Sequence, residues 1–129
     1  MRLTVLGSGS SGNSAVVSTA HTTVLVDAGL SAKQLVLRME ASGISPASLD
    51  AILVTHEHSD HTGGLEILCK KWDIPVYTTP LTQESLAKNF RKAPRWRLMT
   101  TGHPFELNDL RIECFPVPHD AVDPVGFLI

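Results

Sequence analysis

The sequence is poor in cysteine and has no long apolar run. Its 129 residues include only Cys69 and Cys114, whose wide separation excludes paired cysteine ligands. Each lies among apolar neighbours, so we expect buried free thiols, which favours the cytoplasm. No apolar stretch approaches the roughly 18 residues of a membrane span, and the N-terminus does not have the charged region and apolar core of a signal peptide. These absences predict a cytoplasmic protein with no membrane partner.

Positive charge is not in surplus either. The chain has 11 Lys and Arg residues against 13 Asp and Glu, a formal net charge of -2. This balance gives no sign of nucleic-acid binding, although a local basic patch can lie inside a neutral total. Hydrophobic content of 43% and charged content of 19% are typical of a globular protein. The length suits a single domain over residues 1–129.

Strand-like and helix-like patterns follow one another along the chain. β-Branched runs at 15–19 and 22–27 predict a hairpin, and Ser31 with Gln34 three residues later predicts the start of a helix. Further elements are strands at 2–7, 51–55, 75–79, 96–100, 105–117 and 125–129, and helices near Leu65 and Pro80. This order indicates an α/β protein with a mixed sheet.

The segment HEHSDH, residues 56–61, holds three imidazoles and Asp60 just past a predicted buried strand. Such crowding is unfavourable in a merely polar loop, because neighbouring imidazoles repel one another once they are protonated. Neutral imidazole and carboxylate are good ligands for a divalent metal. The segment therefore predicts a metal site rather than a solvated loop.

Spacing divides these ligands between two positions. In a loosely coiled loop residues i and i+2 project to the same side, so His56 and His58 can reach one ion. Asp60 and His61 continue into the following turn, which suits a second ion nearby. A tetrahedral site with three protein ligands leaves a position open for water. The candidate third ligand is His119, which follows a later predicted strand.

HEHSDH resembles the H-x-H-x-D-H signature of the metallo-β-lactamase superfamily, and VDAG at 26–29 is similar to the first motif of that family. LGSGSSGNS at 6–14 and VPHDAVDPVGF at 117–127 resemble a narrower group, the YycJ-like (WalJ/VicX) branch of bacterial metal-dependent DNA exonucleases. The resemblance implies a hydrolase of nucleic-acid phosphodiester bonds that uses a metal-activated water. The imidazole-rich ligand set favours zinc, with manganese as the alternative, and the intact fold would hold up to two ions.

The resemblance also implies a role for each candidate residue. The implied ligands are, for one ion, His56, His58 and His119, and for the other, Asp60 and His61. Asp60 would also accept a proton in catalysis. Asp27 would orient the ligand loop by hydrogen bonding without touching the metal, the alternative being a simple turn residue.

The fold implied by the resemblance is a four-layer αββα sandwich of two similar halves, whose members run to roughly 200–250 residues. We therefore expect residues 1–129 to form the N-terminal half, with helices on one face of the mixed sheet and the C-terminal half absent. The aspartate that bridges the ions belongs to that other half, so the second ion should bind weakly. The sheet face left exposed suggests a homodimer that imitates the absent half.

Two other functions stay open at this point. The chain could belong to a hydrolase of the same superfamily that cleaves a thioester, a lactam or a small phosphodiester. It could instead be a non-catalytic module that binds metal or dimerises.

The glycine-rich stretch GSGSSGNS, residues 7–14, spells both the G-x-G-x-x-G of dinucleotide-binding proteins and a P-loop without its lysine. Either motif must open a helix, whereas the sequence after Gly12 is strand-like. We therefore do not expect a nucleotide cofactor. The glycines should permit positive φ in a tight loop, and Ser11 and Asn13 could contact a substrate phosphate at the rim of the metal site.

Overall fold

A computed structural model describes all residues, 1–129, and contains two sheets. The first sheet has six strands: β1 (Arg2–Gly7), β2 (Ser14–Ser18), β3 (Thr23–Val26), β4 (Ala51–Leu53), β5 (Val76–Thr78) and β6 (Trp96–Leu98). They lie side by side in chain order. The β1–β2 and β2–β3 pairs are antiparallel, and the pairs from β3 to β6 are parallel. The sheet is therefore mixed, as predicted, and the carboxyl ends of five strands, β1 and β3 to β6, lie at one edge.

Helices cover one face of this sheet. They are α1 (Ala32–Ala41), α2 (Ser59–Thr62), α3 (Leu65–Trp72) and α4 (Pro80–Ala87), with a 3₁₀ turn at Pro46–Ser48. The hydroxyl of Ser31 accepts a hydrogen bond from the Gln34 N–H at 3.2 Å, so α1 begins where the sequence predicts. Leu35 and Met39 of α1 are fully buried in a cluster of 16 apolar residues between the helices and the sheet.

A second sheet covers part of the opposite face. It consists of three antiparallel strands, β7 (Phe105–Leu107), β8 (Leu110–Pro116) and β9 (Val125–Leu128). Leu110 and Ile112 of β8 pack against Val17, Val24 and Leu53 of the first sheet. The layers are therefore helix, sheet and sheet. The sequence predicts these C-terminal strands but does not assign them to a sheet of their own.

The second sheet leaves an apolar strip uncovered along β1. Leu3 and Val5 are 66% and 62% exposed. Leu3 lies directly opposite Val17 in the β1–β2 pair, so the two side chains point to the same face. The face that packs on the second sheet thus continues outward as exposed apolar surface.

Far from the carboxyl-terminal edge, one aspartate connects the two sheets. Asp109, in the turn between β7 and β8, accepts hydrogen bonds from the hydroxyls of Thr19 and Thr22 in the β2–β3 turn. These two donors hold the pKa of the Asp109 carboxyl below its usual range.

Both cysteines are buried free thiols, as the sequence predicts. Burial raises the pKa of Cys69 to about 11, so this thiol is unreactive at neutral pH. None of the helices has the length and apolar character needed to cross a membrane.

Candidate metal centre

The candidate site lies at the carboxyl-terminal edge of the first sheet. Val26 of β3 and Leu53 of β4 are partners in the parallel register, and the Asp27 N–H donates to the Leu53 carbonyl at 2.8 Å. Asp27 and the segment after β4 therefore leave the sheet side by side. His119 arrives from the second sheet, in the loop that joins β8 to β9.

The structure brings the predicted ligands together in two groups that share one residue. His56, His58 and His119 form one group, and His56, Asp60 and His61 form the other. Within each group the ligand atoms all lie within 4.8 Å of one another. Spacing alone assigned His56 to one ion only, because the short helix α2, which turns Asp60 and His61 back towards it, is not evident in the sequence.

Asp27 makes three hydrogen bonds at the base of the cluster. Its Oδ1 accepts from the Thr55 N–H at 2.8 Å, and its Oδ2 accepts from the Thr55 hydroxyl at 2.7 Å. The same Oδ2 lies 2.6 Å from Nδ1 of His61, which donates to it. The residue has φ of 60°, a left-handed conformation that aspartate tolerates better than most residues. Asp27 therefore orients a candidate ligand as well as turning the chain.

Two of the imidazoles have shifted pKa values. The hydrogen bond to Asp27 raises the pKa of His61, with the nearby charges of Asp27 and Asp60 adding to it and burial opposing it. Burial lowers the pKa of His56, and the neighbouring histidines lower it further. His56 is therefore held as the neutral imidazole that a metal requires.

A buried nitrogen of the cluster has no partner within the chain. The side chain of His56 is buried, its Nδ1 lies 2.8 Å from the Thr55 hydroxyl, and its Nε2 makes no hydrogen bond. An unpaired buried nitrogen costs about 1–3 kcal/mol, and His56 is the residue that belongs to both groups of ligands. The donor set, four imidazoles and one carboxylate over the two groups, fits a divalent metal ion.

Glycine at position 29 lets the backbone approach this site closely. A Cβ added to Gly29 would lie 1.8 Å from the carbonyl oxygen of Asp60 and 2.6 Å from the nitrogen of Asn13. The Asn13 N–H donates to that Asp60 carbonyl at 2.7 Å, and the Gly29 N–H donates to the Asn13 carbonyl at 3.0 Å. The glycine of VDAG is therefore required by a three-way backbone contact with the ligand loop.

The glycine-rich loop ends against the same contact. The Asn13 side chain accepts from the Gly9 N–H at 3.0 Å and donates to the Gly9 carbonyl at 2.8 Å. It also lies 3.2 Å from the Asp60 carbonyl. Gly9 and Gly12 have φ of 117° and 146°, which explains why these two positions are glycine. Asn13 thus closes the loop and joins it to the metal segment, while Ser11 is exposed at the tip.

Glu57 connects the metal segment to the loop that holds His119. Its Oε2 accepts from the Val122 N–H at 3.0 Å, and Oε1 is buried without a partner. The Val125 N–H also donates to the Thr55 carbonyl at 3.0 Å. No local pattern reveals the Glu57 contact, because it joins residues 65 positions apart.

Comparison with known proteins decides the family. Residues 22–129 match the model of the Beta-lactamase superfamily domain. The chain belongs to the metallo-β-lactamase superfamily. The resemblance of HEHSDH and VDAG to this family is therefore confirmed.

Members of the family with similar sequences include two curated bacterial proteins. Exodeoxyribonuclease YycJ from Bacillus anthracis is 36% identical over 129 residues, which cover 98% of this chain and 49% of the relative. Exodeoxyribonuclease WalJ from Streptococcus pneumoniae serotype 2 is 38% identical over 127 residues, which cover 95% of this chain and 47% of the relative. The chain thus spans about half the length of the curated relatives it matches.

Solved structures of the family share the fold. The Rm3 metallo-beta-lactamase aligns with a TM-score of 0.78 and 25% identity, covering 92% of this chain and 51% of that one. A subclass B3 metallo-beta-lactamase of Bradyrhizobium japonicum aligns with a TM-score of 0.78 and 21% identity, covering 89% and 49%. The predicted α/β class, with a mixed sheet and helices on one face, is confirmed.

Proposed function

We propose that this chain provides the metal-binding part of a hydrolase that cleaves phosphodiester bonds in DNA. The observation that carries the proposal is the cluster centred on His56, whose buried Nε2 has no partner within the chain. The names of two relatives, both exodeoxyribonucleases, favour DNA as the substrate. Their greater length favours residues 1–129 as the N-terminal half of one two-half domain.

Zinc is the proposed metal, with manganese as the alternative, in up to two positions. Imidazole nitrogen dominates both ligand groups, and this donor set suits zinc, whereas manganese prefers carboxylate and water. When bound, an ion here would supply Lewis-acid activation of a phosphoryl oxygen and of water.

The proposed role of each candidate residue follows from its position. The proposed ligands are His56, His58 and His119 for one ion and Asp60 and His61, with the shared His56, for the other. Asp27 would hold His61 in its orientation through the 2.6 Å hydrogen bond. The Asp60 side chain is 37% exposed, so its carboxylate can also accept a proton from solvent at the site.

The glycine-rich loop is the proposed contact for a substrate phosphate. Its closure by Asn13 places the loop next to Asp60, and the exposed Ser11 hydroxyl is free to donate. Ser11→Ala and Asn13→Ala should both weaken DNA binding, the first by loss of a donor and the second by opening the loop. Unchanged DNA affinity in both variants would show that the loop does not contact the substrate.

The activity is tested with the metal-loaded chain, and with any longer product of the same gene, on several substrates in parallel. We expect release of nucleotides from 5′-phosphorylated duplex DNA, and loss of that release in His58→Ala. Hydrolysis of a thioester, a lactam or a small phosphodiester in place of DNA would overturn the nuclease proposal in favour of another hydrolase of the family. Metal binding without turnover of any substrate would favour the non-catalytic module.

A second copy of this chain is the proposed partner for the strip along β1. Leu3 and Val5 are exposed on the face that packs on the second sheet, so pairing two such faces would bury both. Light scattering at micromolar concentration should find a dimer that Leu3→Lys dissociates. A monodisperse monomer would exclude it.

A further inference from the structure

The Thr55 hydroxyl lies between a carboxylate and an imidazole, and neither motif of the family assigns it a role. Its Oγ1 is 2.7 Å from Oδ2 of Asp27 and 2.8 Å from Nδ1 of His56. A hydroxyl has one hydrogen to donate and lone pairs with which to accept. The direction of each of these two hydrogen bonds therefore determines the direction of the other.

The carboxylate determines that direction. An ionised carboxylate can only accept, so the Thr55 hydrogen is directed to Asp27. The Thr55 oxygen is then left to accept, and the proton of this second hydrogen bond must come from Nδ1 of His56. In the neutral ring a proton on Nδ1 leaves a lone pair on Nε2. That nitrogen is the buried atom of His56 that has no partner, and His56 is the residue that both ligand groups share.

The same carboxylate oxygen acts directly on a second imidazole. Nδ1 of His61 donates to Oδ2 of Asp27 at 2.6 Å, which leaves Nε2 of His61 as the acceptor. His61 is thus oriented by direct contact and His56 through the threonine. Metal-ligating histidines are commonly fixed by such a partner on the other ring nitrogen, and removal of the partner costs roughly 10–100-fold in metal affinity.

We propose that Thr55 is a positioning residue that transmits the orientation of Asp27 to His56. Its hydroxyl holds His56 in the tautomer with Nδ1 protonated and Nε2 directed at the metal. Since His56 belongs to both ligand groups, this one hydroxyl prepares both metal positions. The inference rests on the metal-binding role proposed above for His56, and not on the choice of substrate.

Thr55→Val and Thr55→Ser form the matched pair that tests the proposal. Valine keeps the branched shape and removes the hydroxyl, whereas serine keeps the hydroxyl and removes the methyl group. We expect Thr55→Val to bind zinc roughly 10–100-fold more weakly than the unaltered chain, by competition with a chromophoric chelator. Thr55→Ser should bind zinc within about threefold of the unaltered chain, since the partner of His56 is retained.

A second readout follows the tautomer without metal or activity. Long-range ¹H–¹⁵N correlation spectra of the metal-free chain in mildly alkaline buffer distinguish a protonated Nδ1 from a protonated Nε2. We expect His56 to be protonated on Nδ1 in the unaltered chain and in Thr55→Ser, and to populate both tautomers in Thr55→Val. His61 should keep its tautomer in all three, because it contacts Asp27 directly.

The outcomes separate this inference from the function on which it rests. If the unaltered chain binds no zinc, the proposed metal site itself fails. If it binds zinc and Thr55→Val binds equally well, or if Thr55→Ser loses as much affinity as Thr55→Val, the role of the hydroxyl is overturned. A spectrum of the unaltered chain with His56 protonated on Nε2 would overturn it even if the valine variant did not fold.

Discussion

The two sides of the histidine cluster are held in different ways. On the strand side, His56 and His61 are oriented through Nδ1, one by Thr55 and the other by Asp27. On the loop side, His58 is half-buried and His119 is exposed, and neither imidazole makes a hydrogen bond within the chain. The strand side is therefore shaped by the fold, whereas an ion would have to order the loop side as it binds. Preorganisation of two of the four imidazoles lowers the entropy cost of metal binding and leaves the other two free to adjust.

The largest effect on stability is expected from Gly29→Ala, which changes the backbone contact with Asp60 beside the strand-side histidines. The new Cβ would lie 1.8 Å from the Asp60 carbonyl, so the ligand loop must move away from Asp27. We expect the free energy of unfolding of the metal-free chain to fall by about 3 kcal/mol, the upper part of the range for overpacking. Chemical denaturation of the metal-free chain measures this free energy.

Gly63→Ala is the graded control for that change. There the nearest atom to a new Cβ would be 3.0 Å away and φ is -56°, so the loss should be smaller. Equal losses at the two positions would mean that close backbone approach is not what requires Gly29.

Asp27→Asn should have the next largest effect, about 2 kcal/mol of unfolding free energy. The amide cannot accept all three of the hydrogen bonds that the carboxylate accepts, and hydrogen bonds to charged groups contribute about 1.5–3 kcal/mol each. Zinc affinity should fall roughly 10–100-fold. Asp109→Asn is the control, since the Asp109 carboxylate also accepts side-chain hydrogen bonds, from Thr19 and Thr22, but lies far from the site. A loss of zinc affinity in that control would assign the effect to the fold.

The two strand-side imidazoles should titrate in opposite directions from the usual value of 6.5 in the metal-free chain. The pKa of His61 is raised, so its stabilising effect is full below 6.5 and is lost as pH rises through its folded-state pKa. The pKa of His56 is lowered, so its neutral burial destabilises the fold as pH falls from 6.5 through its folded-state pKa. Ring-proton NMR titration measures both. Titration of both rings at one pH would contradict the separation. Asp27→Asn should lower the pKa of both rings, and more that of His61, which loses a hydrogen bond as well as a nearby charge.

The smallest effect on stability belongs to the loop side. His119→Ala removes an exposed imidazole without a hydrogen bond, so unfolding free energy should change by less than about 0.5 kcal/mol. Zinc affinity should nevertheless fall, because the group with His56 and His58 loses a ligand. Isothermal titration calorimetry checks the affinity. A stability loss comparable to that of Asp27→Asn would show that the two sides are equally part of the fold.

Local patterns in the sequence predict much of this molecule. The hairpin of β2 and β3, the cap at Ser31 and the metal character of HEHSDH all rest on residues that are close in the chain. The second sheet does not follow from such patterns, because alternation marks a strand without naming its partner.

Sequence patterns do not predict the hydrogen bonds that hold the site residues in place. The hydrogen bonds from Thr55 to Asp27, from Asn13 to Asp60 and from Val122 to Glu57 span 28, 47 and 65 positions. Only the packing of strands against one another brings such residues together. The resemblance to a family supplied the role of Asp27, but it supplied none for Thr55 or Glu57.

The hydrogen bonds of Asp109 also fix one end of the second sheet. They tie the second sheet to the first at the end remote from the histidines, and β8 then runs the length of the molecule towards His119. At about 3.3 Å per residue, the strand from Asp109 to Pro116 is roughly 23 Å long. Over this length, a rotation of the second sheet by about one degree about Asp109 would shift His119 by about 0.4 Å relative to His56. The hydrogen bonds from Val122 to Glu57 and from Val125 to Thr55 oppose such a rotation at the site, so the second sheet is fixed to the first near both ends.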